Sequence, residues 1–545
     1  MMNKTGMMLV GLILMGSLTA ASQTAVSQTA VSQTERLQLI PMPQKVTFSD
    51  GEVLLPRRLT VGGDFAAAAE MIAEMITDII ARSGTGVEVS LVPVDEPADA
   101  FVRLSRDPSL ATEAYRLRSD GSGIVIEAAD DNGALWGVQT LRQLILQAAL
   151  QGPAGGLRLP AVVIEDAPRF AWRGFHLDLA RHMFTTDYLK KTIERLANYK
   201  INKLHLHLSD DQGWRLQSAA FPLLTETGGW RPFDKYDSIC IRKSATDPTM
   251  VLDKRFLRDD TLYGGYYTRE EMKEIIAHAS RYGIEVIPEI DMPGHMSAAI
   301  KAYPWLSCSG AAGWGEEFSH PLCTAKPEVR AFARKILDEV AELFPLPYIH
   351  IGADEVETSI WEQCPRCREE MRVMKMNSPR ELQSRFVEEM HDHLTSIGKK
   401  TVVWDDAAEE KVSNEMLVTF WRDWKGENAA QIVERGHPMV FATWSHFYLS
   451  SRPSFKRLRE IYRFDISKDY PGMSDELLMG YQACVWTEEI PTEAKLEEHL
   501  FPALQAFSER VWSSNRDWDA FLDRIPLHYR IMDGEEINYH AASKQ

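Results

Sequence analysis

Basic residues are the first scarcity. Lysine and arginine number 60 against 78 aspartates and glutamates, a formal charge of −18, so little in the chain could neutralise a polyanion, and nucleic acid is excluded as the main partner. Long apolar runs are scarce too. Beyond the N-terminus no segment reaches the ~20 residues a helix needs to cross a bilayer, which excludes a transmembrane anchor there. Cysteine is limited to six, at Cys240, Cys308, Cys323, Cys364, Cys367 and Cys484. Cys308 and Cys323 flank one loop and are the expected bridge; Cys364-Pro365-Arg366-Cys367 reads as a second bridge or as half of a metal site. A lone Cys-x-x-Cys lacks the other two ligands of a structural zinc, so no metal site is expected.

Bridges require an oxidising compartment, and the N-terminus indicates one. Lys4 precedes the apolar stretch Met7 to Leu18, and the small residues Thr19, Ala20 and Ala21 follow. That is the pattern of a secretory signal over residues 1–21. A threefold Ser-Gln-Thr repeat then gives a polar, flexible leader over 22–36. The protein is expected outside the cytoplasm: periplasmic, surface-bound or secreted.

What the chain does have is 45% hydrophobic residues and 14 tryptophans in 545 residues, enough for two or more domains with large cores. Over 37–165 the texture is mixed. Tyr115 to Arg118, a Ser119-Asp120-Gly121 turn and Ile124 to Glu127 predict a β-hairpin, flanked by helices from about Phe65 to Arg82 and Gly133 to Ala149. This small α+β unit carries no cluster of acids, histidines or cysteines, and a packing role is expected for it.

From 166 to 545 short apolar strands alternate with helical periodicity. The strands are Phe175–Leu179, Lys203–Leu208, Glu285–Ile290, Tyr348–Gly352, Thr401–Trp404, Leu417–Trp421, Met439–Thr443 and Gly480–Trp486. Thr268 and Glu271 form a capping box for a helix that stops at Gly283, and Pro327 opens another. Eight such units predict a (β/α)8 barrel, a TIM barrel with a C-terminal helical segment, whose active site lies at the C-terminal strand ends. Polar and aromatic groups fall there: Asp178, Asp210, Asp211, Asp291, His295, Asp354, Glu355, Trp404, Asp405, Trp421, Tyr448, Trp486 and Glu488. The adjacent acids Asp354 and Glu355 repel unless one is protonated or works beside a cation, which suits glycoside cleavage.

His350-Ile351-Gly352-Ala353-Asp354-Glu355 resembles the His-x-Gly-Gly/Ala-Asp-Glu motif of family 20 glycoside hydrolases, the β-N-acetylhexosaminidases. Trp172-Arg173-Gly174 with Asp178, His205 to Arg215, and Pro288 to His295 resemble the family's first three strands. The resemblance implies a retaining, exo-acting enzyme that removes terminal β-linked N-acetylglucosamine or N-acetylgalactosamine from a glycan through an oxazolinium ion. It implies no metal or organic cofactor. It makes Glu355 the general acid and base, Asp354 the residue that steers the substrate's acetamido group, and Tyr448 the donor to its carbonyl. A nearby anion and partial burial are expected to raise the Glu355 carboxyl, and Asp211 and His295 become a relay that adjusts it as the reaction turns over. Arg173, His207 and Glu488 contact the sugar, and Trp404, Trp421 and Trp486 wall it in. Ser450 stands where many members carry Asp or Asn, which leaves gluco against galacto selectivity open. Two rival readings of the function stand beside this one: a family relative releasing a disaccharide or a 6-sulfated N-acetylglucosamine, and a non-catalytic glycan-binding protein. The segments Gln217–Leu262 and Ser451–Met479 are expected to be long loops at the site. Nothing in the sequence gives the oligomeric state.

Overall fold

The computed structural model describes residues 37–83, 88–91, 100–152, 156–470 and 476–542. The expected signal and leader, residues 1–36, lie outside the described residues. No helix among those described is long and apolar enough to cross a membrane.

The leading unit is built on a mixed seven-stranded sheet. Its strands are Lys45–Leu54, Arg58–Gly63, Glu88–Leu91, Val102–Arg106, Tyr115–Asp120, Gly123–Ala128 and Arg158–Asp166. The hairpin Tyr115–Asp120 with Gly123–Ala128 pairs antiparallel, and alternation buries Tyr115, Leu117 and Ser119 on one face. Helices Ala66–Ser83 and Asp131–Gln151 share a core with that sheet. The second begins where Asp130 Oδ1 accepts the Gly133 N–H at 2.8 Å. It then lies close to the sheet, because a Cβ at Gly137 would stand 2.6 Å from Ile126 Cγ2.

All eight expected barrel strands are present and parallel, and they close in chain order. They run Trp172–Asp178, Lys203–His207, Glu285–Glu289, Tyr348–His350, Lys400–Trp404, Leu417–Phe420, Met439–Phe441 and Leu478–Val485. Several are buried on both faces, as helices outside and side chains inside require. The helix Arg269–Arg281 carries the capping box of Thr268 and Glu271, and Pro327–Leu343 begins at its proline. The segment after the second strand is not plain loop. It holds short helices and a three-stranded sheet of Trp230–Pro232, Leu257–Arg258 and Leu262–Gly264.

The leading unit meets the N-terminal end of the barrel through buried charge. Asp166 accepts from Tyr115 Oη at 2.6 Å, Lys200 Nζ at 2.8 Å and Trp512 Nε1 at 3.0 Å. Removing one partner of such a buried pair leaves an uncompensated charge, at a cost of ~3–5 kcal/mol.

Candidate active site

The fourth barrel strand ends after three residues because its backbone turns left-handed, with φ of 65° at Gly352, 70° at Ala353 and 48° at Glu355. A Cβ at Gly352 would lie 2.0 Å from Asp291 Oδ1, so glycine alone fits that approach. The turn separates the two acids. Asp354 is buried, while the Glu355 side chain at the mouth is 34% exposed.

Asp354 rests against Asp291. Asp291 Oδ1 accepts the Ala353 N–H at 3.0 Å. Asp291 Oδ2 and Asp354 Oδ1 are both buried and receive no N–H among the described residues; one shared proton satisfies both. Burial, then the charge of Asp354, pushes Asp291 well above the usual carboxylate range. Burial also raises Asp354, to about 7, against the opposing charge of His295. The proton therefore sits on Asp291 and is donated to Asp354.

His295 bridges this pair to a second one. Its Nδ1 is 3.2 Å from Asp210 Oδ1 and 3.7 Å from Asp211 Oδ2, and its Nε2 is 3.5 Å from Glu355 Oε2 and 3.8 Å from Asp354 Oδ2. Burial alone would lower its pKa. The charge of Asp210 and bonds to Asp210, Asp211 and Glu355 outweigh that and hold the imidazolium well above its ordinary value. Asp211 is fixed in turn by the Ser297 N–H at 3.0 Å. The structure thus brings Asp211, His295 and Glu355 into one chain, with Asp210 closer to His295 than Asp211 is.

Beneath the site lies a buried carboxylate ringed by imidazoles. Glu289 is 2.5 Å from His207 Nδ1, 3.0 Å from His205 Nε2 and 3.3 Å from His350 Nδ1, and it accepts Trp404 Nε1–H at 2.7 Å. Burial opposes its charge, but His207, His350 and His205 hold the Glu289 carboxyl well below its usual range. His207 is fully buried, with Nε2 2.9 Å from Asp210. Against burial, the charge of Glu289 and the bond to Asp210 raise it to about 10. The expected sugar contact by His207 is therefore corrected: it is a charged support beneath Asp210.

The aromatic side of the site comes from the last four strands. Trp404 is buried as its floor, while Trp421, Tyr448 and Trp486 are partly open and pack around Ala442 and Cys484. Trp421 and Tyr448 stack at 15°, with centroids 6.1 Å apart. Burial raises the Tyr448 hydroxyl well above its ordinary value, so it stays a neutral donor.

Arg173 is a correction. It is the second residue of the first strand, about 17 Å below that strand's upper end at ~3.3 Å per residue. Its guanidinium is fully buried at the domain interface, where it donates to Glu113, to Lys200 O at 2.8 Å and to Phe170 O at 2.8 Å. The arginine that faces the site is Arg181. Its Nη2 is 2.8 Å from Asp210 Oδ2, its Nη1 is 4.0 Å from Glu488 Oε1, and it lies over the Trp486 ring at 5.0 Å. Asp178 anchors it at 3.2 Å and also accepts the Thr487 N–H at 3.0 Å, which sets Trp486 and Glu488 on either side.

Two site residues escape the residues picked out at the strand ends, and Asp210, picked out there without a role, proves to be the carboxylate nearest His295. Arg181 could have been found from its position just past strand one. Asp406 follows the noticed Asp405; it accepts Trp421 Nε1–H at 2.9 Å and the Glu355 N–H at 3.4 Å. Ser450 Oγ accepts the Trp486 N–H at 2.8 Å and borders a cavity of about 760 Å³ next to Glu488. The expected disulfide between Cys308 and Cys323 is absent; all six cysteines are free thiols.

Two family profiles match this chain: glycosyl hydrolase family 20, catalytic domain, over residues 170–515, and glycosyl hydrolase family 20, domain 2, over residues 36–167. A β-hexosaminidase of Porphyromonas gingivalis is 31% identical over 92% of this chain, which spans 64% of that relative's length. A β-N-acetylhexosaminidase of Cellulomonas fimi is also 31% identical, over 92% of this chain and 96% of its own. The crystal structure of a GH20 exo β-N-acetylglucosaminidase from Vibrio harveyi with N-acetylglucosamine superposes with a TM-score of 0.80. It is 28% identical and is matched over 94% of this chain and 79% of its own.

Proposed function

The chain belongs to glycosyl hydrolase family 20, and from that premise we propose that this glycoside hydrolase is an exo-acting β-N-acetylhexosaminidase working by substrate assistance. One observation carries the reading. The two neighbouring acids occupy opposite environments: Asp354 is sunk against Asp291, with its charge felt at the Tyr448 hydroxyl, and Glu355 is open at the mouth beside His295. They are therefore suited to different atoms of one substrate and not to opposite sides of one bond.

Seated in the aromatic pocket, the substrate's acetamido oxygen attacks the anomeric carbon. Glu355 gives its proton to the leaving oxygen as the glycosidic bond breaks. Asp354 accepts the acetamido N–H and faces the positive charge that develops there, while Tyr448 donates to the attacking carbonyl oxygen and fixes its approach. Water then adds to the anomeric carbon with loss of its proton to Glu355, the bond from the anomeric carbon to the acetamido oxygen breaks, and the amide carbonyl is restored. The imidazolium of His295 beside Glu355 steadies the carboxylate between the two steps. Arg181 and Glu488 are the polar groups suited to the ring hydroxyls.

The cavity beside Ser450 leaves room for a substituent on the sugar's outer hydroxyls. Its cations are already paired: Lys243 with Glu489, Lys495 with Asp247 at 3.0 Å, and Arg452 with Glu498. Little free positive charge remains to reward a sulfate, which favours the unsulfated sugar as the main substrate. The apolar N-terminal stretch with its small-residue end supports export of the protein.

The test is hydrolysis of aryl β-glycosides of N-acetylglucosamine, N-acetylgalactosamine and 6-sulfated N-acetylglucosamine, joined by a series with fluorinated acetyl groups. Release of the unsulfated sugars with retained anomeric configuration is expected, and rates should fall as fluorine weakens the acetamido oxygen. Rates indifferent to fluorination would overturn the assisted mechanism, and no turnover of any glycoside would favour a binding protein.

A further inference from the structure

Four thiols meet where two active-site loops cross. Cys308 and Cys323 lie between the third barrel strand and the helix Pro327–Leu343, whereas Cys364 and Cys367 open the helix Pro365–Met374 after the fourth strand. The Sγ separations are 3.8 Å for Cys308 to Cys367, 3.8 Å for Cys323 to Cys367 and 3.9 Å for Cys323 to Cys364. All four sulfurs lie within 4.8 Å of one another. An ion that holds four thiolates at ~2.3 Å sets the edges of its tetrahedron at about 3.8 Å, whereas bridged sulfurs stand ~2.05 Å apart. We propose that Cys308, Cys323, Cys364 and Cys367 bind one structural zinc ion.

The surroundings suit that ion. Three of the thiols are buried and Cys308 is half-buried, which gives a closed site without the open position that catalytic zinc keeps. Cys364 and Cys367 form a Cys-x-x-Cys at the start of a helix, with Pro365 at its first turn. Trp361 and Leu382 pack against the sulfurs and exclude water. A cage this narrow admits a single ion and not an iron–sulfur cluster, and an all-thiolate tetrahedron selects zinc among the common divalent metals. The missing half of the ligand set was hidden by distance along the chain.

The site would act on catalysis by position. The loop of Cys308 and Cys323 also carries His295, and the loop of Cys364 and Cys367 also carries Asp354 and Glu355. The same two loops are tied by Trp361 Nε1–H to Leu322 O at 3.0 Å, and by Glu357 accepting the N–H groups of Glu317 at 2.8 Å and Phe318 at 3.1 Å. Zinc would be the strongest of these ties and would fix the spacing between His295 and Glu355.

The deciding measurement is the metal content of the full-length protein after dialysis into metal-free buffer. About one zinc per chain is expected. Exchange with cobalt(II) should give the visible absorption of a tetrahedral thiolate site. Cys308→Ser and Cys364→Ser should each cut zinc to less than about a tenth, and Cys240→Ser should retain it. The unsubstituted protein decides the matter even where a variant fails to fold. A metal-free chain whose intact mass shows the hydrogens lost to two bridges would overturn the proposal, as would a metal-free chain with four reactive thiols.

Discussion

Replacing Asp291 by asparagine and, separately, by leucine asks where the proton of the buried acid pair resides. In the structure Asp291 acts as a neutral acid that donates to Asp354 and accepts from Ala353. Asparagine keeps both functions, with its amide N–H standing in for the acid O–H. Leucine keeps neither. The buried carboxylate then loses a hydrogen bond worth ~1.5–3 kcal/mol. At 1.36 kcal/mol per unit, the Asp354 pKa should climb by about one to two units from its present value of about 7. Activity needs Asp354 ionised, so it is lost as the pH falls through that pKa, and a higher pKa moves the acid limb of kcat/KM to higher pH. Below the limb the leucine enzyme should be about 10–100-fold slower, whereas asparagine should leave the limb within about half a unit. The assay is kcat/KM against pH with an aryl β-N-acetylglucosaminide, with circular dichroism to check folding. If Asp291 were instead the ionised member, either substitution would remove a repelling charge and shift the limb to lower pH. That outcome would refute the assignment of the proton.

Exchanging the two arginines separates interface from site. Arg181→Lys should raise KM by about 10-fold or more through loss of the planar fork, with little change in melting temperature. Arg173→Lys should leave KM near its original value and lower the melting temperature, because it cannot satisfy Glu113, Lys200 and Phe170 together; the opposite pattern would restore Arg173 to the sugar. Gly352→Ala should cost at least ~2 kcal/mol in chemical denaturation, since its methyl would meet the Asp291 carboxylate at 2.0 Å. An unchanged midpoint would show that the strand end relaxes freely.

The barrel was legible because each strand is a short apolar run between polar segments, and that pattern survives without any knowledge of partners. Strand Lys45–Leu54 of the leading sheet was not, since most of its residues are exposed and one sheet-edge residue gives little signal of its neighbours. Arg173 was misplaced because the motif names a residue type and the height on the strand decides what it meets. The Glu289 ring draws its histidines from two other strands, so no window along the chain contains it. The cysteines show the same effect: two pairs separated by 40 intervening residues read as two local features until the loops bring them together.

The buried seam at the foot of the barrel has a consequence for ancestry and for engineering. Glu113 and Tyr115, on the leading unit, complete the partner set of Arg173, Asp166 and Lys200, while Trp136 packs edge-on against Trp512 at 6.1 Å. A barrel excised at residue 167 would present stranded cations and bare tryptophan faces to water. The two halves are therefore heritable only as a pair: a transplanted catalytic barrel has to bring its leading sheet along or evolve a new floor.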